Sequence, residues 1–83
     1  MTVKEKLAEV NPDAILWDGL DSAIIGFTDL GKAVYDIDKM ISITQQTSGG
    51  SFEDALEWVH FNILNAYVGE YTPIHIYPMY NED

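Results

Sequence analysis

The chain has 83 residues, enough for one domain spanning 1–83, and its 47% hydrophobic content is too high for a disordered segment. The absence of Cys excludes disulfides and thiolate metal sites, and no run of 18 apolar residues exists to span a membrane. Fourteen Asp and Glu stand against four Lys (Lys4, Lys6, Lys32, Lys39) and no Arg, a net charge of −10, and residues 40–83 carry no Lys or Arg at all; direct binding to nucleic acid or to an anionic membrane is therefore not expected.

Taken in chain order, Thr2 to Val10 reads as a short helix with Val3, Leu7 and Val10 at helical spacing, ended by Asn11-Pro12. Residues 13–20 read as a helical turn or a loop, with Asp18-Gly19-Leu20-Asp21 as turn and cap. Ala23–Phe27 and Ala33–Ile37 are rich in β-formers, and Asp29-Leu30-Gly31-Lys32 between them supplies turn chemistry, so the pair predicts a hairpin; Gly26 within the first run signals a bulge or a close backbone approach. Asp38 is placed to cap a helix from Lys39 to about Thr47 that buries Met40, Ile41 and Thr44, although its β-branched content makes a strand a rival. Ser48-Gly49-Gly50 breaks the chain. Ser51 followed by Glu53 and Asp54 resembles a capping box, and the helix it starts is expected to reach Val68 and stop at Gly69. Tyr71–Tyr77 alternates, with Ile74 and Ile76 on one face and His75 and Tyr77 on the other; Pro73 and Pro78 confine it to an edge. The order predicts an α+β fold: a small antiparallel sheet, made of the hairpin plus the C-terminal strand, packed on one long and one or two short helices.

The long helix has an excess of apolar surface. Phe52, Ala55, Leu56, Val59, Ile63, Ala66 and Tyr67 form a stripe expected to face the sheet. Trp58, Phe61, Leu64 and Val68 then fall on the other side, among Asp54, Glu57 and Asn65, where a surface helix normally carries charge. Either the second helix or the Trp17 region covers them, or they form an interface with a partner or a second copy, aromatic anchors within an acidic rim. Ordering 83 residues costs about 125 kcal/mol at roughly 1.5 kcal/mol each, so the core must be dense or shared with another chain; a homo-oligomer is the expectation.

Catalytic patterns are weak. His60 and His75 are the only histidines; His60 lies at the margin of the stripe, where a partly buried, hydrogen-bonded ring is the ordinary outcome. Asp36 and Asp38 would share one face of a continued strand and so hold Mg²⁺ beside a phosphate; Asp38 as a helix cap accounts for one of them without a metal. Gly49-Gly50 before a helix start suits an anion, but Glu53 and Asp54 oppose one there. No nucleophile elbow or phosphate-cradling glycine loop is present. The chain thus reads as no enzyme, with no catalytic residues, no metal and no cofactor. The acidity has three readings: solvation, a basic protein partner, or imitation of a nucleic-acid backbone. A body roughly 30 Å across matches duplex DNA bearing about 18 phosphates, so ten net charges imitate it only if clustered.

Three stretches, Ala33-Val-Tyr-Asp-Ile-Asp-Lys, Ser51-Phe-Glu-Asp-Ala-Leu-Glu and Phe61-Asn-Ile-Leu-Asn-Ala-Tyr-Val-Gly-Glu-Tyr-Thr-Pro, resemble small uncharacterised proteins of bacteriophages and prophages. Those share a Tyr-Asp-x-Asp-Lys run, an upstream Asp-Gly and a Phe-Asn-x-x-x-Ala-Tyr-Val-Gly-Glu-x-Thr-Pro ending; the similarity covers about residues 12 to 76, and its C-terminal part is the specific one. The resemblance carries no catalytic residues across. It implies a phage product in a host cytosol, in agreement with an opening, Met1 to Lys6, that lacks the apolar stretch of a secretion signal. The expected function is a non-catalytic inhibitor of a basic or nucleic-acid-handling host protein, an anti-CRISPR or anti-restriction protein in its specific form. The expected contacts are Trp58, Phe61, Leu64, Val68, Asp54 and Glu57, with Asp36, Asp38 and Glu70 as further acidic contacts. The alternatives are a Mg²⁺- or nucleotide-binding protein using Asp36 and Asp38, or a virion accessory protein.

Overall fold

Local sequence signals set most element boundaries in the computed structural model, which describes residues 2–79. Thr2 caps α1 (Val3–Val10), its hydroxyl accepting the Glu5 N–H at 3.1 Å. Only Leu7 of this helix is buried; Val3 and Val10 stay about half exposed, because α1 meets the rest of the fold mainly along β1. The segment after it is a loop, followed by a short 3-10 turn at Asp21–Ala23 that leads into β1 (Ile24–Phe27).

β1 pairs antiparallel with β2 (Ala33–Asp36), and the register slips between Ile24 and Gly26, where the mid-strand glycine signals the bulge. The hairpin turn closes through Thr28 N–H to the Lys32 carbonyl at 2.8 Å and Gly31 N–H to the Thr28 carbonyl at 2.9 Å. Gly31 is required there twice over. Its φ is +83°, and a Cβ would lie 2.6 Å from Cβ of Asn11, whose side-chain amide donates to the Gly31 carbonyl at 3.1 Å.

α2 (Ile37–Ser48) starts two residues earlier than expected, with Asp36 and not Asp38 as its cap; Oδ1 of Asp36 accepts the Lys39 N–H at 3.2 Å. The reason lies in packing. Starting at Ile37 places Ile37, Met40 and Ile41 at i, i+3 and i+4 on one buried face, which also decides helix over strand. Thr44 is half-buried. Gly49 ends the helix in the left-handed region at φ +74°.

α3 (Phe52–Val59) is capped by Ser51, whose hydroxyl accepts the Asp54 N–H at 3.1 Å. It does not continue to Val68. At His60–Leu64 it widens into a π-turn, and helical structure ends at Asn65. The side-chain amide of Asn62 donates to the Trp58 carbonyl at 3.0 Å, the carbonyl that an α-helix would offer to the backbone N–H of the same residue, and this competition accompanies the change of winding. Of the expected stripe, Ala55, Val59 and Ile63 are buried, whereas Phe52 and Tyr67 are exposed; Tyr67 lies beyond the helix. The stripe packs chiefly on α2, not on the sheet.

β3 (Ile74–Ile76) lies beside β2, giving the order β1-β2-β3, but runs parallel to it where an antiparallel strand is expected. Residues 65–73 carry the chain back before it pairs, so β3 enters from the same end of the sheet as β2 and α2–α3 form a crossover. The sheet is mixed and the fold is α+β. Tyr35 and His75 are neighbours facing the core, while Ile74 and Ile76 point outward, about two-fifths exposed. Tyr35, Leu7, Met40, Ile41 and Val59 are the largest fully buried side chains, within a slab of 38 × 37 × 22 Å. No helix among the described residues is long and apolar enough to cross a membrane.

Candidate functional site

Two aromatic sites differ in kind. The first joins the loop after α1 to β2 and β3. The Trp17 backbone N–H donates to the Tyr35 hydroxyl at 2.8 Å, and the Trp17 indole N–H donates to Nε2 of His75 at 2.9 Å. The Trp17 and His75 rings stack with centroids 6.0 Å apart. Because Nε2 accepts, the His75 ring is neutral with its proton on Nδ1. Burial holds the His75 pKa below its ordinary value. Burial raises that of Tyr35; the Trp17 N–H opposes this, and the Asp21 and Asp18 carboxylates reinforce it. Both N–H groups of Trp17 are thus satisfied within the chain, and the cluster ties the loop after α1 to β2 and β3.

The second is an open groove of about 560 Å³ between the Asp18–Leu20 turn, the C-terminal half of α2 and the start of α3. Buried Leu20 and half-buried Ile43 supply apolar surface; Trp58, 48% exposed, forms part of the lining. Thr44, Thr47 and Ser48 bring hydroxyls, and Asp18 and Asp54 bring carboxylates. The Asp54 carboxylate reaches toward Gly50, where an added Cβ would stand 3.3 Å from its Oδ2. The side-chain charges and the end of α2 have the same sign: α2 ends here without a basic residue in its last turn, and Glu53 and Asp54 in the first turn of α3 offset the positive end of that helix.

Trp58 and Phe61 stand about one helical turn apart, and Phe61 is 77% exposed. Asp54 and Glu57 are exposed on the same helix. Leu64 departs from this group, being half-buried and packed against the core, and Val68, although exposed, lies past the end of the helix. Asp36 is 2% exposed and committed to its cap, so it is no surface contact, while Asp38 is exposed in the first turn of α2; the strand that would align the two carboxylates ends before Asp38. Glu70 is exposed in the turn preceding β3. His60 is exposed rather than partly buried, and His75 has the hydrogen-bonded environment instead. Among the described residues no group of three or more His, Asp or Glu is placed to hold a metal ion.

Sequence reasoning missed Asp18, Ile43, Thr44 and Thr47 as groove residues. Thr44 and Thr47 at i and i+3 were a faint signal of a shared hydroxyl-bearing line on α2; nothing local indicated that the Asp18 turn lies opposite them. Fold and surface together define a class: a small α+β protein with a half-open acidic groove beside an exposed aromatic helix face. Compared with protein-family models, curated proteins and solved structures, the chain matches none.

Proposed function

We propose that this is a non-catalytic binding protein that docks onto a basic surface of a protein partner. The observation that carries this reading is the exposure of Trp58 and Phe61 on a helix whose charged residues, Glu53, Asp54 and Glu57, are all acidic. Large aromatics within an acidic rim supply desolvation energy at the centre of a contact and steer a cationic partner toward it. In the phage setting that the sequence resemblance implies, the partner is a host protein that handles nucleic acid, and occupation of its basic groove is the inhibitory act. The slab is 38 Å long, a length over which duplex DNA carries about 22 phosphates. Ten net charges support local occupation of such a groove rather than imitation of a whole duplex.

The test is retention of a basic nucleic-acid-binding protein from host lysate on immobilised protein, at low and moderate salt, with and without competing duplex DNA. A retained protein that duplex DNA displaces, and that Phe61→Asp fails to hold, is the expected result. Retention of no such protein at either salt overturns the reading. Light scattering across a concentration series decides whether the same face also pairs two copies.

A further inference from the structure

We infer that the groove between the Asp18–Leu20 turn, α2 and α3 receives a single arginine side chain of the protein partner. This inference rests on the proposed binding function and localises it. A volume of about 560 Å³ falls within the usual range for ligand sites, and it suits a long side chain together with its flanking backbone. Apolar surface from Leu20 and Ile43 matches the aliphatic stem of such a residue. Trp58, Asp18 and Asp54 line the same space, so an indole and two carboxylates border the position a cation would take.

The electrostatics favour a cation through the C-terminus of α2 and the acidic side chains of α3. The C-terminus of α2 presents the negative end of a twelve-residue helix dipole and carries no basic residue of its own. The positive end of α3 is already answered: Ser51 takes the Asp54 N–H, and Glu53 and Asp54 stand in its first turn. None of the chain's four lysines lines the groove. Lys4 pairs with Asp21 at 3.4 Å, the single ion pair among the described residues; Lys6 borders a different cavity beside β1; Lys32 lies in the hairpin turn, and Lys39 at the opposite end of α2. The site thus lacks the charge that would complete it. Arginine fits better than lysine, because a planar guanidinium stacks on an indole while its five donors still reach carboxylates and hydroxyls at its edge.

The unaltered protein supplies its own control. Its two indole N–H groups give separate NMR signals, and that of Trp17 is engaged by His75 while Trp58 borders the groove. Titration with acetyl-Gly-Arg-Gly-amide at low salt is expected to move the Trp58 signal saturably and leave that of Trp17 in place. The citrulline peptide, equal in shape but uncharged, is expected to bind at least tenfold more weakly, as is the arginine peptide to Asp18→Asn or Asp54→Asn protein with an otherwise unchanged spectrum. Equal responses to arginine and citrulline, or no movement of Trp58, overturn the inference. So does a stronger response to tetramethylammonium, which would mark a small-cation pocket, or loss of the response on self-association, which would mark a second copy as the occupant. If Asp18→Asn and Asp54→Asn protein retain the DNA-displaceable partner as well as the unaltered chain does, the groove inference fails while the binding function stands; loss of the partner by every form defeats both.

Discussion

The two tryptophans sit in contrasting surroundings within one small fold. Trp17 is held by its backbone N–H, its indole N–H and a stacked histidine, all satisfied inside the chain. Trp58 is half exposed and lines a groove with carboxylates and hydroxyls, and its indole N–H has no hydrogen-bond partner among the described residues. A side chain whose polar groups are satisfied internally stabilises the fold; one that keeps apolar area in water beside unpaired charge has more to gain from a second molecule. The comparison separates a region that builds the protein from a region available to act.

The largest effect should come from the building side. Met40→Ala empties a site with no exposure and should lower the unfolding free energy by about 2–5 kcal/mol in urea denaturation, without altering the groove's acidic rim. Tyr35→Phe removes the acceptor for the Trp17 N–H and should cost about 1–3 kcal/mol; a neutral result would mean that the cluster contributes little. Asp36→Ala should cost about 0.5–2 kcal/mol as loss of a cap. An equal loss for Asp38→Ala would show the cap to be misplaced.

A smaller effect is set by pH. The folded-state pKa of His75 lies below its ordinary value, so the unfolded chain binds the proton more readily and stability must fall as pH drops below about 6.5. The contribution is complete above that value and is lost as pH falls through the folded-state pKa, since a protonated Nε2 no longer accepts from the indole of Trp17. Urea midpoints measured at pH 7.5 and 5.5 should differ in that sense, and His75→Gln should reduce the difference. The smallest effect belongs to the acting side: Phe61→Ser should change stability by no more than about 0.5 kcal/mol while weakening partner capture. A large loss of stability there would reassign Phe61 to the structural region and erase the contrast.

Much of the fold was legible because its signals are local. The bulge at Gly26, the turn through Gly31, the Ser51 cap and the stop at Gly49 each depend on residues within a few positions of one another. The start of α2 was also within reach, since Ile37, Met40 and Ile41 already show the i, i+3, i+4 pattern; reading Asp38 as the cap set that pattern aside. The early end of α3 was harder to see. An asparagine in a helical run is ordinary, and only the observed Asn62 contact with the Trp58 carbonyl accompanies the widened winding and leaves Val68 off the helix.

The acidic surplus, the absence of thiols, the capped helices and the excess of apolar residues on α3 were determined by the amino-acid sequence alone, because composition, hydrogen bonding across three or four residues and helical periodicity are all short-range properties. The parallel direction of β3, the Trp17–His75 contact across 58 positions, and the meeting of the Asp18 turn with both helices were decided only by the tertiary structure. Each of these depends on how distant segments close upon one another. That closure is governed by the total burial of the core, a quantity that belongs to the whole chain and to no stretch of it.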